Sequence, residues 1–136
     1  MAYNYDIPFH VDLTDRVALV TGGNGGIGGM FCRALAACGA TVIVLGRNLE
    51  RCRMVADEIN AGGGRADAIA GDVTDEAAML RVKEEIAQKY GRLNILINAA
   101  GGAVKSAMVP GRIRWPIRAR RRSSTSARTT SRRNLT

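Results

Sequence analysis

Residues 17–98 alternate between two apolar patterns, and that alternation most constrains what this chain can fold into. Val17-Ala18-Leu19-Val20-Thr21 is a continuous apolar run, the pattern of a strand buried on both faces. Gly29 to Cys38 then carries Met30, Phe31, Ala34, Leu35 and Cys38 at helical spacing, and Gly39 ends it. Thr41 to Leu45 reads as a second buried strand, Leu49 to Ala61 as a second helix closed by three glycines, and Ala66 to Ala70 as a weaker strand. A third helix is expected from Asp75 to Tyr90, capped by Thr74 or Asp75, and a fourth strand from Leu93 to Asn98. The order is βαβαβαβ. Strands and helices that alternate in this way make a parallel sheet with right-handed crossovers, covered on both faces. Neither a helix bundle nor a β-sandwich yields that order, so a doubly wound α/β fold is expected.

Between the first strand and the first helix stands Thr21-Gly22-Gly23-Asn24-Gly25-Gly26-Ile27-Gly28. Residues without a Cβ let backbone N–H groups approach a pyrophosphate, and the following helix points its positive end at the same phosphates. A strand before it and a helix after it are the context such a motif requires. Two glycine registers are open, because residues 23–28 also fit G-x-G-x-x-G. The competing interpretation is a tight glycine turn with no ligand.

Thr21-Gly22-x-x-x-Gly26-Ile27-Gly28 resembles the TGxxxGxG motif of the short-chain dehydrogenase/reductase family. Gly71-Asp72-Val73 after the third strand resembles the family's adenine-contacting pair. Asn98-Ala99-Ala100-Gly101 after the fourth resembles its NNAG, with Ala99 replacing the second Asn. Together these motifs cover residues 14–102. The resemblance implies an incomplete Rossmann-like sheet and an NAD(P)-dependent oxidoreductase acting on a small carbonyl or alcohol substrate. It also implies that Gly22, Asn24, Gly26, Ile27 and Gly28 line pyrophosphate and ribose, that Asp72 and Val73 flank the adenine, and that Asn98 and Ala100 lie near the nicotinamide-side ribose. The opening Phe9-His10-Val11-Asp12-Leu13-Thr14-Asp15-Arg16-Val17-Ala18 and the Ala100-Gly101-Gly102 ending resemble sugar-acid and polyol reductases of the family, of the gluconate 5-dehydrogenase or mannonate oxidoreductase type. An acyl-carrier or other carbonyl reductase is the alternative.

The end of the second strand bears on cofactor choice. An NAD enzyme places Asp or Glu there to accept hydrogen bonds from the adenosine ribose. This chain has Leu45-Gly46-Arg47-Asn48. Gly46 stands in the acid's place, and Arg47 offers a planar cation to a 2′-phosphate, so NADP is expected over NAD. A solvated loop arginine is the plain alternative for Arg47.

The family's chemistry uses a Tyr as acid/base, a Lys four residues later, a Ser that holds the substrate carbonyl and an Asn in the proton relay. Four residues after Tyr3, Tyr5 and Tyr90 stand Ile7, Phe9 and Asn94, so this sequence contains no YxxxK. No other nucleophile–base set is available, because His10 is the one histidine and lies upstream of the first strand. The chain as written is expected to be an inactive, cofactor-binding fragment with no catalytic residues. Cys32, Cys38 and Cys52 have no CxxC spacing, so neither a metal site nor a disulfide is expected.

Charge divides the chain sharply. Residues 1–102 hold ten basic and twelve acidic side chains, a net of −2, whereas residues 103–136 hold ten basic and no acidic ones, a net of +10. Three domains of unequal kind follow: an N-terminal extension over 1–13, the dinucleotide-binding half-domain over 14–102, and a basic tail over 103–136 expected to be disordered. That tail is open to three readings: an arm that binds nucleic acid without sequence preference, a solvated extension, or the product of a shifted reading frame, which is the reading favoured here. The arm would make the chain a non-catalytic nucleotide- or polyanion-binding protein. No membrane span or secretory signal is visible in the sequence, so a cytoplasmic protein is expected.

Overall fold

The computed structural model describes residues 10–102; the expectations for residues 1–9 and for the basic tail lie outside the described residues. The elements are β1 (Val17–Thr21), α1 (Gly26–Ala37), β2 (Thr41–Gly46), α2 (Leu49–Ala61), β3 (Arg65–Ala70), α3 (Glu76–Tyr90) and β4 (Ile95–Asn98). They form one four-stranded sheet of order β3-β2-β1-β4, with every neighbouring pair parallel. This is the expected α/β sheet of Rossmann-like type.

Alternation along the strands distributes the core between two layers. Ala18, Val20, Val42, Val44 and Ala66 face one way and pack against Cys32 of α1 and Cys52, Ala56 and Ile59 of α2. Val17, Leu19, Ile43, Leu45 and Ile69 face the other way and pack against Val82 and Ile86 of α3. Both central strands therefore need apolar residues at consecutive positions, which is why β1 and β2 read as unbroken runs. β4 differs. Its Ile95 and Ile97 sit half-buried on the α1–α2 side, while Leu96 on the α3 side is 54% exposed.

The chain winds outward from β1 to β2 to β3, then α3 carries it back across to the far side of β1. The reversal places the ends of β1 and β4 beside each other, at the point where open α/β sheets form a crevice. Asn94 sets the register of this last pair: Val17 N–H donates to its Oδ1 at 2.9 Å, and Asn94 N–H donates to the Val17 carbonyl at 2.9 Å.

Helix α1 starts three residues earlier than its apolar pattern suggests, because Gly26, Ile27 and Gly28 of the glycine motif are its first turn. Glycine's low helix propensity hides this start. The strand expected from Leu93 begins only at Ile95, because Leu93 and Asn94 serve as the approach to the ladder.

Candidate functional site

The residues singled out by sequence gather at the C-terminal ends of the strands. The turn after β1 carries Gly22 to Gly28, the turn after β2 carries Arg47, the turn after β3 carries Asp72 and Val73, and the segment after β4 carries Ala100. Backbone hydrogen bonds tie neighbouring turns together. Gly23 N–H donates to the Leu45 carbonyl at 3.1 Å, Gly71 N–H to the Gly46 carbonyl at 3.0 Å, and Ala99 N–H to the Thr21 carbonyl at 3.2 Å.

Gly22 and Gly28 permit the closest backbone-to-backbone packing in the motif. Gly22 has φ +65°, and a Cβ there would lie 2.7 Å from the Ala100 Cα. A Cβ on Gly28 would stand on the Gly22 carbonyl. Gly26 differs, because a Cβ there would meet nothing within 4 Å. Gly23 is also closely packed, since a Cβ there would lie 2.9 Å from Val44 Cγ1 and 3.1 Å from the Val20 carbonyl, so packing alone leaves both glycine registers open. Gly25 of the other register has an extended φ of −88°.

Gly25 caps α1 with no side-chain hydrogen bond, and the first turn carries no acidic residue. Among the described residues no backbone acceptor takes the N–H groups of Gly26, Ile27 or Gly28, nor that of Asn24. An uncapped helix start concentrates about half a positive charge and leaves donors pointing outward. Such a group of donors, over an open space at Gly26, is suited to phosphate oxygens. The Ile27 side chain is 71% exposed beside it.

Asp72 is half-buried, and its Oδ1 accepts from the Thr74 N–H at 2.9 Å and from the Thr74 hydroxyl at 2.7 Å. These two bonds hold its carboxyl below the ordinary carboxylate range, with a smaller pull from the positive charge of Arg47. Val73 is 46% exposed next to it, and Arg47 and Asn98 are exposed. Neither Arg47 nor Asn98 makes a side-chain hydrogen bond or ion pair among the described residues.

Thr21, part of the motif but given no role of its own by the sequence, ties the site together. Its side chain is buried; the hydroxyl lies 3.5 Å from the Ile97 carbonyl and accepts from the Ala100 N–H at 3.1 Å. It thereby fastens the segment after β4 to the glycine turn. A hydroxyl just before a glycine at a strand end is the signal that points to it. Beneath the turn lie Cys32, whose thiol burial pushes up to about 11, and Cys52, also raised by burial. They are packing groups, and no three potential metal-ligating side chains cluster among the described residues.

Comparison with known proteins agrees with this geometry. A family model described as short chain dehydrogenase matches residues 16–112, running past Gly102. An uncharacterised oxidoreductase of Bacillus subtilis (strain 168), UxuB, is 42% identical over 96 residues, covering 71% of this chain and 34% of that protein. A solved Haemophilus influenza oxidoreductase assigned to D-mannonate, with bound NAD, superposes with a TM-score of 0.69 at 31% identity over 74% of this chain and 36% of its own. A metagenomic short-chain oxidoreductase in complex with NADP gives a TM-score of 0.64 at 35% identity, covering 72% of this chain and 46% of that one. The chain thus spans less than half the length of these relatives. By sequence and by fold, the chain belongs to the short-chain dehydrogenase family.

Proposed function

We propose that this chain is the dinucleotide-binding part of an NADP-linked oxidoreductase of the cytoplasm, acting on a small carbonyl or alcohol substrate. The observation that carries the reading is the open start of α1, whose first N–H groups have no backbone acceptor among the described residues and where a Cβ on Gly26 would meet nothing within 4 Å. A bound nicotinamide dinucleotide supplies the hydride that such an enzyme transfers. Gly26, Ile27 and Gly28 would hold its pyrophosphate, while Gly22 and Gly28 keep the turn tight. Asn24 would meet the ribose, Asp72 and Val73 would border the adenine, and Asn98 and Ala100 would lie toward the nicotinamide end. The relatives bind NAD in one solved structure and NADP in another. Arg47, exposed beside a glycine and without a side-chain hydrogen bond or ion pair among the described residues, favours NADP here. Three free cysteines accord with a reducing compartment.

Calorimetry on the full chain with NADP and NAD tests this. Arg47→Ala should lose about 1–3 kcal/mol for NADP alone, the scale of hydrogen bonds to charged groups. An equal loss for both cofactors, or none, would overturn the NADP assignment.

Turnover on this reading needs residues that the 136-residue sequence does not contain. NADPH oxidation by the purified chain with any carbonyl substrate, at a rate that Tyr90→Phe leaves intact, would refute it. We further propose that the basic end of the chain arises from a shifted frame, entered between about residue 103 and the end of the family match at residue 112. Reading the gene past the Gly102 codon in all three frames tests that, and a YxxxK in another frame is the expected result. The same tail, at +10, should bind DNA weakly, without sequence preference and with steep loss in salt.

A further inference from the structure

Among the described residues β3 and β4 bound the sheet, and the chain treats the two edges differently. β3 is closed. Ala66 N–H donates to Asn60 Oδ1 at 2.8 Å, and the Ala66 carbonyl accepts from Asn60 Nδ2 at 2.9 Å. A side chain of α2 thus takes the bonding position that a further strand would use. Asp67, one residue on, pairs with Lys89 Nζ at 2.8 Å and accepts from the Tyr90 hydroxyl, and Arg65 stands exposed at the start of the strand. Charges and side-chain bonds on an edge strand keep other chains from adding to it. β4 has neither. Its sequence is Ile95-Leu96-Ile97-Asn98, with no charge and no proline. Among the described residues, the one side chain that bonds its backbone is that of Thr21, from the β1 side. Leu96 is 54% exposed and Leu93 42%, on the rim of a groove shared with Met79 and Ile86 of α3. An open ladder with apolar side chains on both faces calls for another strand that is apolar on both faces.

We propose that β4 is a self-association edge, pairing antiparallel with β4 of a second copy about a two-fold axis at Leu96. The strand is its own complement in that register. Residues opposite each other in a ladder share a face of the sheet. Centring the pair on Leu96 sets Leu96 against its twin on the α3 side, and Ile95 against Ile97 of the second copy on the α1–α2 side. Centring it on Ile97 would set Leu96 against Asn98 and leave an apolar side chain facing a polar one. The Leu96 register doubles the sheet and puts a closed β3 edge at each end, so assembly stops at two chains. Antiparallel pairing also sends the two glycine turns to opposite ends of the joined strands. The dinucleotide site stays open, and the proposal stands or falls independently of that reading. Each chain carries a net charge of +8, so the two copies repel and the apolar contact strengthens as salt screens them.

Sedimentation of the full chain over a wide range of concentration and salt tests this, together with amide exchange on β4. A monomer–dimer equilibrium that tightens as salt rises is expected, with β4 amides protected in the dimer and exchanging on dilution. Leu96→Lys sets two like charges against each other at the axis and should weaken the dimer by about tenfold or more. Its melting temperature at dilution should match wild type, because Leu96 is exposed in the single chain. Arg65→Ala, at the closed edge, should leave the dissociation constant unchanged. Leu96→Cys should give a disulfide-linked dimer on mild oxidation, much faster than the wild-type chain with its own three cysteines, since the axis brings position 96 against its twin. A dimer indifferent to Leu96→Lys, or weakened as much by Arg65→Ala, would overturn the edge assignment. A dimer in which Leu96→Cys links no faster than wild type would overturn the register. Association that loosens with salt would mean a charge contact elsewhere and overturn the proposal. A chain that stays monomeric would overturn it too: exchanging β4 amides would mean an uncovered edge, and protected ones a later segment of the same chain as the occupant.

Discussion

Three helices start at the C-terminal ends of three parallel strands, and they start in two different ways. Helices α2 and α3 are closed by their own side chains. Asn48 accepts from Arg51 N–H at 3.1 Å and Asp75 from Ala78 N–H at 3.2 Å, with Glu50 and Glu76 in the first turns. α1 has none of these features. Sequence supplies capping residues and acids at two of three equivalent positions and glycines at the third, which leaves that helix dipole and its donors uncompensated among the described residues. The two capped helices serve stability, whereas the open one carries a cost that a bound anion would remove.

The largest expected effect separates the two jobs of the glycines within α1 itself. Gly28→Ala pushes a Cβ onto the Gly22 carbonyl, and backbone cannot rotate aside as a side chain can. A loss of about 1–3 kcal/mol or more in denaturant unfolding is expected, the scale of overpacking. Gly26→Ala meets nothing. It should be neutral or stabilising by up to about 1 kcal/mol, since alanine is the better helix former, while weakening dinucleotide binding by filling the phosphate space. Parallel losses of stability in both variants would erase the distinction between a packing glycine and a ligand glycine.

Caps come next in size. Asn48→Ala and Asp75→Ala should each cost about 1 kcal/mol. Gly25→Asp gives α1 the cap it lacks; its Cβ would lie 3.3 Å from the Gly22 carbonyl, which a small shift can relieve. The ligand-free chain should gain about 0.3–1 kcal/mol from the added negative charge at a helix start. Dinucleotide affinity should fall, because a carboxylate now competes for the same donors. A variant that is stabilised and binds as well as wild type would show that the open start is not the phosphate site.

Acid pH should affect the turn after β3 more gently. The Asp72 carboxyl is held below the ordinary carboxylate range by Thr74. A depressed folded-state value means that its contribution is intact above the ordinary pKa near 3.8 and is lost as pH falls through the lower folded value. Asp72→Asn should flatten the acid limb of the melting curve there and leave neutral pH nearly unchanged. Solvent screening at this half-buried carboxyl keeps the effect small.

Much of this contrast is legible in the amino-acid sequence, and the parts that are not share one cause. β1 and α2 fall where their patterns put them, because an unbroken apolar run and a regular apolar stripe are single-chain signals. Of the two residues expected to cap α3, Thr74 and Asp75, it is Asp75 that does so. The early start of α1 is hidden, since glycines carry no periodicity and their use depends on what approaches them. Which glycines pack and which stay clear is decided by Ala100 and by the Gly22 carbonyl, groups that sequence spacing does not place. The Thr21 hydroxyl is likewise a matter of long-range pairing, joined to the N–H of Ala100 across the sheet. Asn24 can be read from its motif as a ligand residue, but not as a side chain whose end lies beside Gly46.

The smallest expected effect uses the thiols beneath the open start. Cys32 and Cys52 are fully buried, and Cys38 at the other end of α1 is partly exposed. Burial lifts the Cys32 thiol to about 11, so little reactive thiolate exists at neutral pH. Alkylation of the native chain in mildly alkaline buffer should therefore modify Cys38 first, and Cys32 only when the glycine turn lifts away. A raised folded-state value also fixes the sign of the alkaline dependence. The stability that goes with a protonated Cys32 is complete below the ordinary thiol value of 9.0 and is lost as pH rises toward about 11. A dinucleotide seated on the open start should slow Cys32 labelling by holding the turn closed, while leaving Cys38 unchanged. Equal protection of both cysteines would mean that the ligand stabilises the whole domain. No protection of Cys32 would mean that it does not bind where α1 begins, and the contrast between open and capped helices would then lose its functional meaning.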